Sequence, residues 1–305
     1  MSNMKEFYKN LDELYSAGNL DAVEAFIHYA ISGYPDGSPE RAGIYNELAG
    51  FYRGISRFED SEDAFVKSLS MFEALGMSAT PEYATVLLNF AGLYRMTGKT
   101  DKAIGMFQDA LRKIEKAGKE NSYPYISILN NIALAYQERG EYTEALEYAE
   151  KALNLLRERG GGAHEIATSL NNLAAIRIRL REFETADVLI SEALSLYDSL
   201  PETDVHHAAA LATKAAIQCY AGDYSGALEG FQRSLGFTSK FFGENIEYAI
   251  CKRNISDVYE LLGNIPAAIE ELADCVRLLG HILGPEHQRA KEARSRLDRL
   301  IAGNS

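Results

Sequence analysis

Apolar positions recur along this chain at the three- and four-residue spacing of amphipathic helices, in long segments rich in Ala, Leu, Glu, Lys and Tyr. Between them lie short polar stretches that hold most of the prolines, such as GYPDGSPE, SATPEY and LGPEHQ. This alternation predicts an all-α protein of many helices of similar length. A six-residue signature then sets their order: Gly, polar, aromatic or apolar, two further residues, and a small residue. It reads GKTDKA from Gly98, GEYTEA from Gly140, GDYSGA from Gly222 and GNIPAA from Gly263, with weaker copies SRFEDS from Ser56 and REFETA from Arg181. The six starts are spaced by 42, 42, 41, 41 and 41 residues. A fixed period of this size is the mark of a repeat architecture.

Other columns keep the same register. Seven residues before each start stands a small residue: Ala49, Ala91, Ala133, Ala174, Ala215 and Ser256. Twelve after it stands another, Ser68, Ala110, Ala152, Ala193, Ser234 and Cys275, beside the apolar column Leu69, Leu111, Leu153, Leu194, Leu235 and Val276. Small residues at matching places on successive helices allow close approach, and large neighbours fill the remaining space. Each unit is therefore expected to be a helix, a tight turn at the Gly, a second helix and a loop. One such hairpin cannot bury its apolar face alone, so hairpins stack.

The pattern resembles the tetratricopeptide repeat, in the 41–42-residue variety of kinesin light chain, over roughly residues 40–281. Arg181 and Ser56 replace the turn Gly, Lys214 and Lys252 stand at usually apolar positions, and Arg177 interrupts the column of Tyr52, Tyr94, Tyr136 and Tyr259. The resemblance implies a right-handed α-solenoid of stacked helix-turn-helix repeats with first helices on the concave face. FYKNLDELYSAGNLDAVEAFIHYAI repeats the plan around Gly18, giving a degenerate hairpin over 1–38. Six repeats follow over 39–281, and 282–305, with PEHQRAKEARSRLDRLIAG, forms a C-terminal capping helix on one continuous solenoid.

Setting the small residue of each first helix as position 8, a turn of about 100° per residue puts positions 1, 3, 4, 7, 8, 11 and 14 on one half of the helix. Positions 2, 5, 6, 9, 12 and 13 face the other way. Position 5 carries Asn46, Asn130 and Asn171, and position 6 carries Asn89, Asn131, Asn172 and Asn254. Arg53, Arg95 and Gln137 fall at position 12, and Arg179 at position 13. Asparagine is a poor helix former, so two adjacent ones in two successive repeats require a reason. Each amide offers a donor and an acceptor together, matching an extended peptide unit, and arginine selects carboxylates. The expectation is a ladder holding an extended, acidic protein or peptide segment along Asn89, Asn131 and Asn172, with Arg53, Arg95 and Arg179 as charge partners. The resemblance implies the peptide-contacting role for Asn89, Asn131, Asn172 and Asn254. The alternative for these asparagines is bracing of the neighbouring repeat. Small residues at positions 2 and 9, including Gly50 and Gly92, favour an open groove.

Charge narrows the partners. A net charge of −13 and a pI near 5.0 disfavour nucleic acid and anionic membrane. No run of 18 apolar residues occurs, and MSNMKEFYKN has no signal-like apolar core, so a cytoplasmic protein is expected. Cys219, Cys251 and Cys275 show neither CxxC nor zinc spacing, and a reduced compartment is the simplest reading. Cys219 falls on the groove arc, at position 12. His206 and His207 are adjacent and point about 100° apart, so they cannot chelate as an i, i+4 pair would. His28, His164, His281 and His287 are scattered, and solvent or core positions are expected for them. GGGAHEIA lacks the Lys-Ser/Thr of a P-loop and reads as an inter-repeat loop. No nucleophile–base pattern appears. No enzyme activity, cofactor or metal is expected. The function read from the sequence is a peptide-binding scaffold or adaptor, with a peptide-responsive sensor or a self-assembling structural protein as alternatives.

Overall fold

The computed structural model describes residues 3–201 and 204–303. The first two and last two residues of the expected terminal segments lie outside the described residues. Every regular element among those described is an α-helix. The chain forms two compact units that divide between Gly161 and Gly162, inside the expected Gly-rich loop.

The first unit holds α1 (Met4–Ser16), α2 (Leu20–Gly33), α3 (Pro39–Gly54), α4 (Phe58–Ala74), α5 (Pro81–Met96), α6 (Thr100–Lys116), α7 (Tyr123–Arg139) and α8 (Tyr142–Glu158). They pair in chain order as four hairpins, and each hairpin packs on the next. The second unit holds α9 (Ala163–Arg179), α10 (Phe183–Asp198), α11 (Val205–Tyr220), α12 (Tyr224–Phe242), α13 (Ile246–Leu261), α14 (Ile265–Leu283) and α15 (Gln288–Gly303). Here three hairpins stack, and α15, with Ala290 and Ala293 buried, packs on α14.

The polar stretches act as helix starts. Ser38 and Thr80 accept from the backbone N–H of Arg41 and Tyr83, and Pro39 and Pro81 occupy the first helical position. A proline there loses nothing, because that N–H has no helical partner. The repeat signature is the turn of each hairpin. Gly98, Gly140, Gly222 and Gly263 have φ between 74° and 84°. The residue after each donates its N–H to a carbonyl five residues back, as Lys99 does to Tyr94 at 2.8 Å and Asn264 to Tyr259 at 2.9 Å. That bond closes a Schellman motif and satisfies helix-end carbonyls.

Ser56 and Arg181 keep this geometry without being glycine, at φ of 63° and 62°. Their following residues make the same bonds, Arg57 to Tyr52 at 2.8 Å and Glu182 to Arg177 at 2.9 Å. A side chain in this left-handed region costs about 1–2 kcal/mol; glycine removes that strain, but its greater unfolded-state freedom offsets part of the gain. Ser56→Gly and Arg181→Gly are each expected to raise stability by about 0.5–1 kcal/mol, read as a higher urea midpoint. A lower midpoint would show that the side chains contribute more than the backbone strain removes.

All twelve members of the two small-residue columns are buried. At Gly230 the approach is close: a Cβ added there would come within 2.9 Å of the Ala215 Cβ. At two of the three serines in these columns the hydroxyl donates to a helix carbonyl. Ser68 bonds Ala42 and Ser256 bonds Ala268, both at 2.7 Å. Large side chains close the gaps between backbones. Phe7, Phe51, Phe65 and Phe107 are fully buried in the first unit, while Phe231, Ile255 and Val258 pack with Ala215 and Ala227 in the second.

Candidate functional site

The first helices of the first unit lie side by side, α3 against α5 and α5 against α7; in the second unit α9 lies against α11. This packing changes the arc drawn for a single helix. Asn46 and Asn130 are only 8% exposed, and Asn171 only 9%. Position 5 is thus a buried flank, because the adjacent first helix covers it. Position 6 stays partly open at Asn89, Asn131 and Asn254, but Asn172 is also only 9% exposed.

The amides differ in what they touch. Asn89 Nδ2 donates to Asn46 Oδ1 at 3.0 Å, a bond from α5 to α3 of the bracing kind. Asn46 Nδ2 donates in turn to Glu47 Oε1 at 3.4 Å. Asn131 Nδ2 donates to the Ser127 carbonyl of its own helix at 2.9 Å, which leaves its Oδ1 without a partner among the described residues. Asn254 Oδ1 accepts at 3.4 Å from Arg253. The side chains of Asn171 and Asn172, both nearly buried, make no hydrogen bond among the described residues, and the Asn171 Oδ1 is fully covered.

The arginines also separate. Arg95 is paired with Glu138, Nη1 to Oε1 at 2.6 Å. Arg53 donates from Nη1 to the Asn89 carbonyl at 2.8 Å and forms no ion pair among the described residues. Gly92 makes room for it, since a Cβ there would lie 2.7 Å from Arg53 Nη1. Burial, and then the neighbouring Arg95 charge, bring the Arg53 guanidinium down to about 10. Burial also raises the Glu47 carboxyl, although hydrogen bonds from Asn46 and Tyr8 oppose it. Arg179 is exposed and carries no ion pair among the described residues. Gln137 is partly buried beside these groups on α7.

A second constellation was not expected. His164, at the start of α9, meets Asp204 at the cap of α11, Nε2 to Oδ2 at 2.6 Å. The His164 and His206 rings stand edge to face at 5.3 Å. The hydrogen bond to Asp204 raises the His164 imidazole. Burial alone would raise the Asp204 carboxyl, but the His164 bond, the His206 charge and a backbone N–H hold it near 2. His164 and Asp204 are 40 residues apart in sequence, so no local spacing reveals the group. His207 diverges from His206 as expected: it is buried between Tyr197 and Phe237, and burial lowers its imidazole. All three thiols are pushed up by burial, that of Cys251 to about 12. Reactive thiolates need the opposite shift.

Stacked two-helix hairpins, joined by glycine-type turns and presenting polar side chains from adjacent first helices, define a helical repeat protein. Residues 40–116 and 125–199 match the family model described as tetratricopeptide repeat, and the chain is a tetratricopeptide repeat protein. No curated protein matches it in sequence. Among solved structures it is similar to NprR in complex with its cognate peptide NprX, at 19% identity and a TM-score of 0.64, covering 99% of this chain and 88% of that one. It is similar to the Rap conjugation gene regulator of plasmid pLS20 in complex with the Phr* peptide, at 18% identity and a TM-score of 0.68, over 97% and 75%. BtubC from P. vanneervenii shares 20% identity and a TM-score of 0.52, over 75% and 91%. Likeness at these identities shows the fold. No described helix is long and apolar enough to cross a membrane.

Proposed function

We propose that this protein is a non-catalytic binder of extended peptide segments, acting as an adaptor or peptide-responsive regulator through amides on its first helices. The observation that carries this reading is the Asn171–Asn172 pair. The Asn171 Oδ1 is fully covered and unpartnered, at a cost of roughly 1–3 kcal/mol, while the Asn171 Nδ2 and the Asn172 amide have no side-chain partner but keep access to solvent. A peptide backbone supplies an acceptor for the Asn171 Nδ2 and both a donor and an acceptor for Asn172. The unpaired Oδ1 of Asn131 offers a similar acceptor in the first unit.

Arg179 favours a segment with carboxylates, since it has no acidic partner among the described residues, whereas the Arg53 charge is already met in part by Glu47. Arg95 contributes less, because Glu138 already neutralises it. The peptides seated in NprR and in the Rap regulator are consistent with this use of the fold. Asn46 and Asn89 belong to the other reading: their mutual bond braces α3 and α5, so their role is structural.

The test pairs binding with stability. Peptides are selected from a display library on the intact chain, and their affinity is measured for Asn171→Ala combined with Asn172→Ala. Affinity is expected to fall about tenfold or more, the effect of losing two hydrogen bonds at roughly 1 kcal/mol each. The thermal unfolding temperature is expected not to fall, because neither side chain makes a hydrogen bond among the described residues and alanine has the better helix propensity. Asn89→Ala is expected to do the reverse, lowering stability through loss of its bond to Asn46. If the paired variant unfolds earlier yet binds normally, the amides are braces and the proposal fails.

A further inference from the structure

We propose that His164, Asp204 and His206 form a binding site for a zinc-type divalent cation in the second unit. One ligand atom from each residue lies within 4.8 Å of the other two. A tetrahedral ion with metal–ligand bonds of about 2.1 Å separates its ligands by roughly 3.4 Å. The observed grouping therefore needs only small side-chain rotations to close on one ion. The His164–Asp204 contact of 2.6 Å opens slightly, and the His206 ring turns inward.

The carboxylate is already aimed. Asp204 Oδ1 accepts from the backbone N–H groups of His206 and His207, at 2.9 and 3.0 Å, as the cap of α11. Those bonds fix the orientation of the group and leave Oδ2 directed at His164. Such outer hydrogen bonds orient metal ligands and set their affinity. His164 is also fixed, on the first turn of α9 with its ring edge-on to Tyr197 at 5.7 Å.

The donor set selects the ion. Two imidazoles and one carboxylate suit zinc and its transition-metal neighbours, whereas calcium and magnesium require mostly oxygen. Three protein ligands also leave a fourth position open. The exposed His206 faces solvent, which provides the entry path. An ion here would tie the start of α9, the helix that carries Asn171 and Asn172, to the start of α11.

The intact, untagged chain is stripped with chelator and titrated with Zn2+ by calorimetry, then with Co2+ by visible absorption. One equivalent is expected to bind saturably, and Co2+ is expected to give the absorption of a tetrahedral nitrogen–oxygen site without thiolate charge transfer. His206→Ala lies on the surface and is expected to fold normally, with at least about tenfold weaker binding. His164→Ala and Asp204→Asn are expected to behave alike, the asparagine still capping α11. Unchanged affinity in His206→Ala, a thiolate band, or no saturable binding by the wild-type chain would overturn the proposal.

Discussion

Alanine at Phe107 is expected to destabilise the first unit by about 3–5 kcal/mol, the range for truncating a fully buried phenylalanine. The ring has no exposed surface and sits on the face of α6 that also carries Ala103, Ile104, Ala110, Leu111 and Ile114. Its neighbours along the small-residue columns are alanines, whose single methyl groups cannot extend into the cavity. The surrounding helices are themselves held by their next hairpins, which limits collapse, and a cavity that does not collapse carries the larger penalty. Urea unfolding with the slope held constant measures the loss. A cost below about 1 kcal/mol would place Phe107 outside the core, against its burial.

The opposite change at Ala133 is expected to cost about 1–3 kcal/mol or more when leucine replaces it. Ala133 is fully buried on α7, in the column that lets α7 approach α8. The extra carbons must be accommodated by separating two helices or by forcing neighbouring side chains off their rotamers. Both outcomes distort the hairpin and shift the position of Asn130 and Asn131 on the same helix. The same substitution at Tyr142, partly exposed at the start of α8, is expected to stay within about 0.5 kcal/mol, as surface changes usually do. A melting series of the two variants checks the contrast, and equal effects would contradict the column reading.

Much of this architecture was legible in the amino-acid order, because repetition multiplies weak signals. One glycine says little about a turn, but six starts at constant spacing placed every hairpin of the repeats, including the two where Ser56 and Arg181 adopt the left-handed backbone in glycine's place. The small columns were legible for the same reason, and all of them are buried. The surface was harder to read. A helical wheel treats each helix alone, so it set Asn46, Asn130 and Asn171 on the open arc, and the adjacent first helix covers that flank instead. Side-chain pairings such as Asn89 with Asn46 or Arg95 with Glu138 depend on distances between repeats, which no periodicity encodes. The His164–Asp204–His206 cluster lies further still from the pattern, since a helix cap and two helix starts create it.

In the proposed function a ligand backbone occupies the Nδ2 groups of Asn171 and Asn172. Their side-chain Nδ2 resonances can be assigned by loss of signal in the single alanine variants and then followed while a display-selected peptide is titrated into the intact chain. Both pairs of signals are expected to shift in proportion to occupancy, and to become protected from exchange with water, while that of Asn89 stays in place. Saturable peptide binding with the Asn171 and Asn172 signals unmoved would contradict the account.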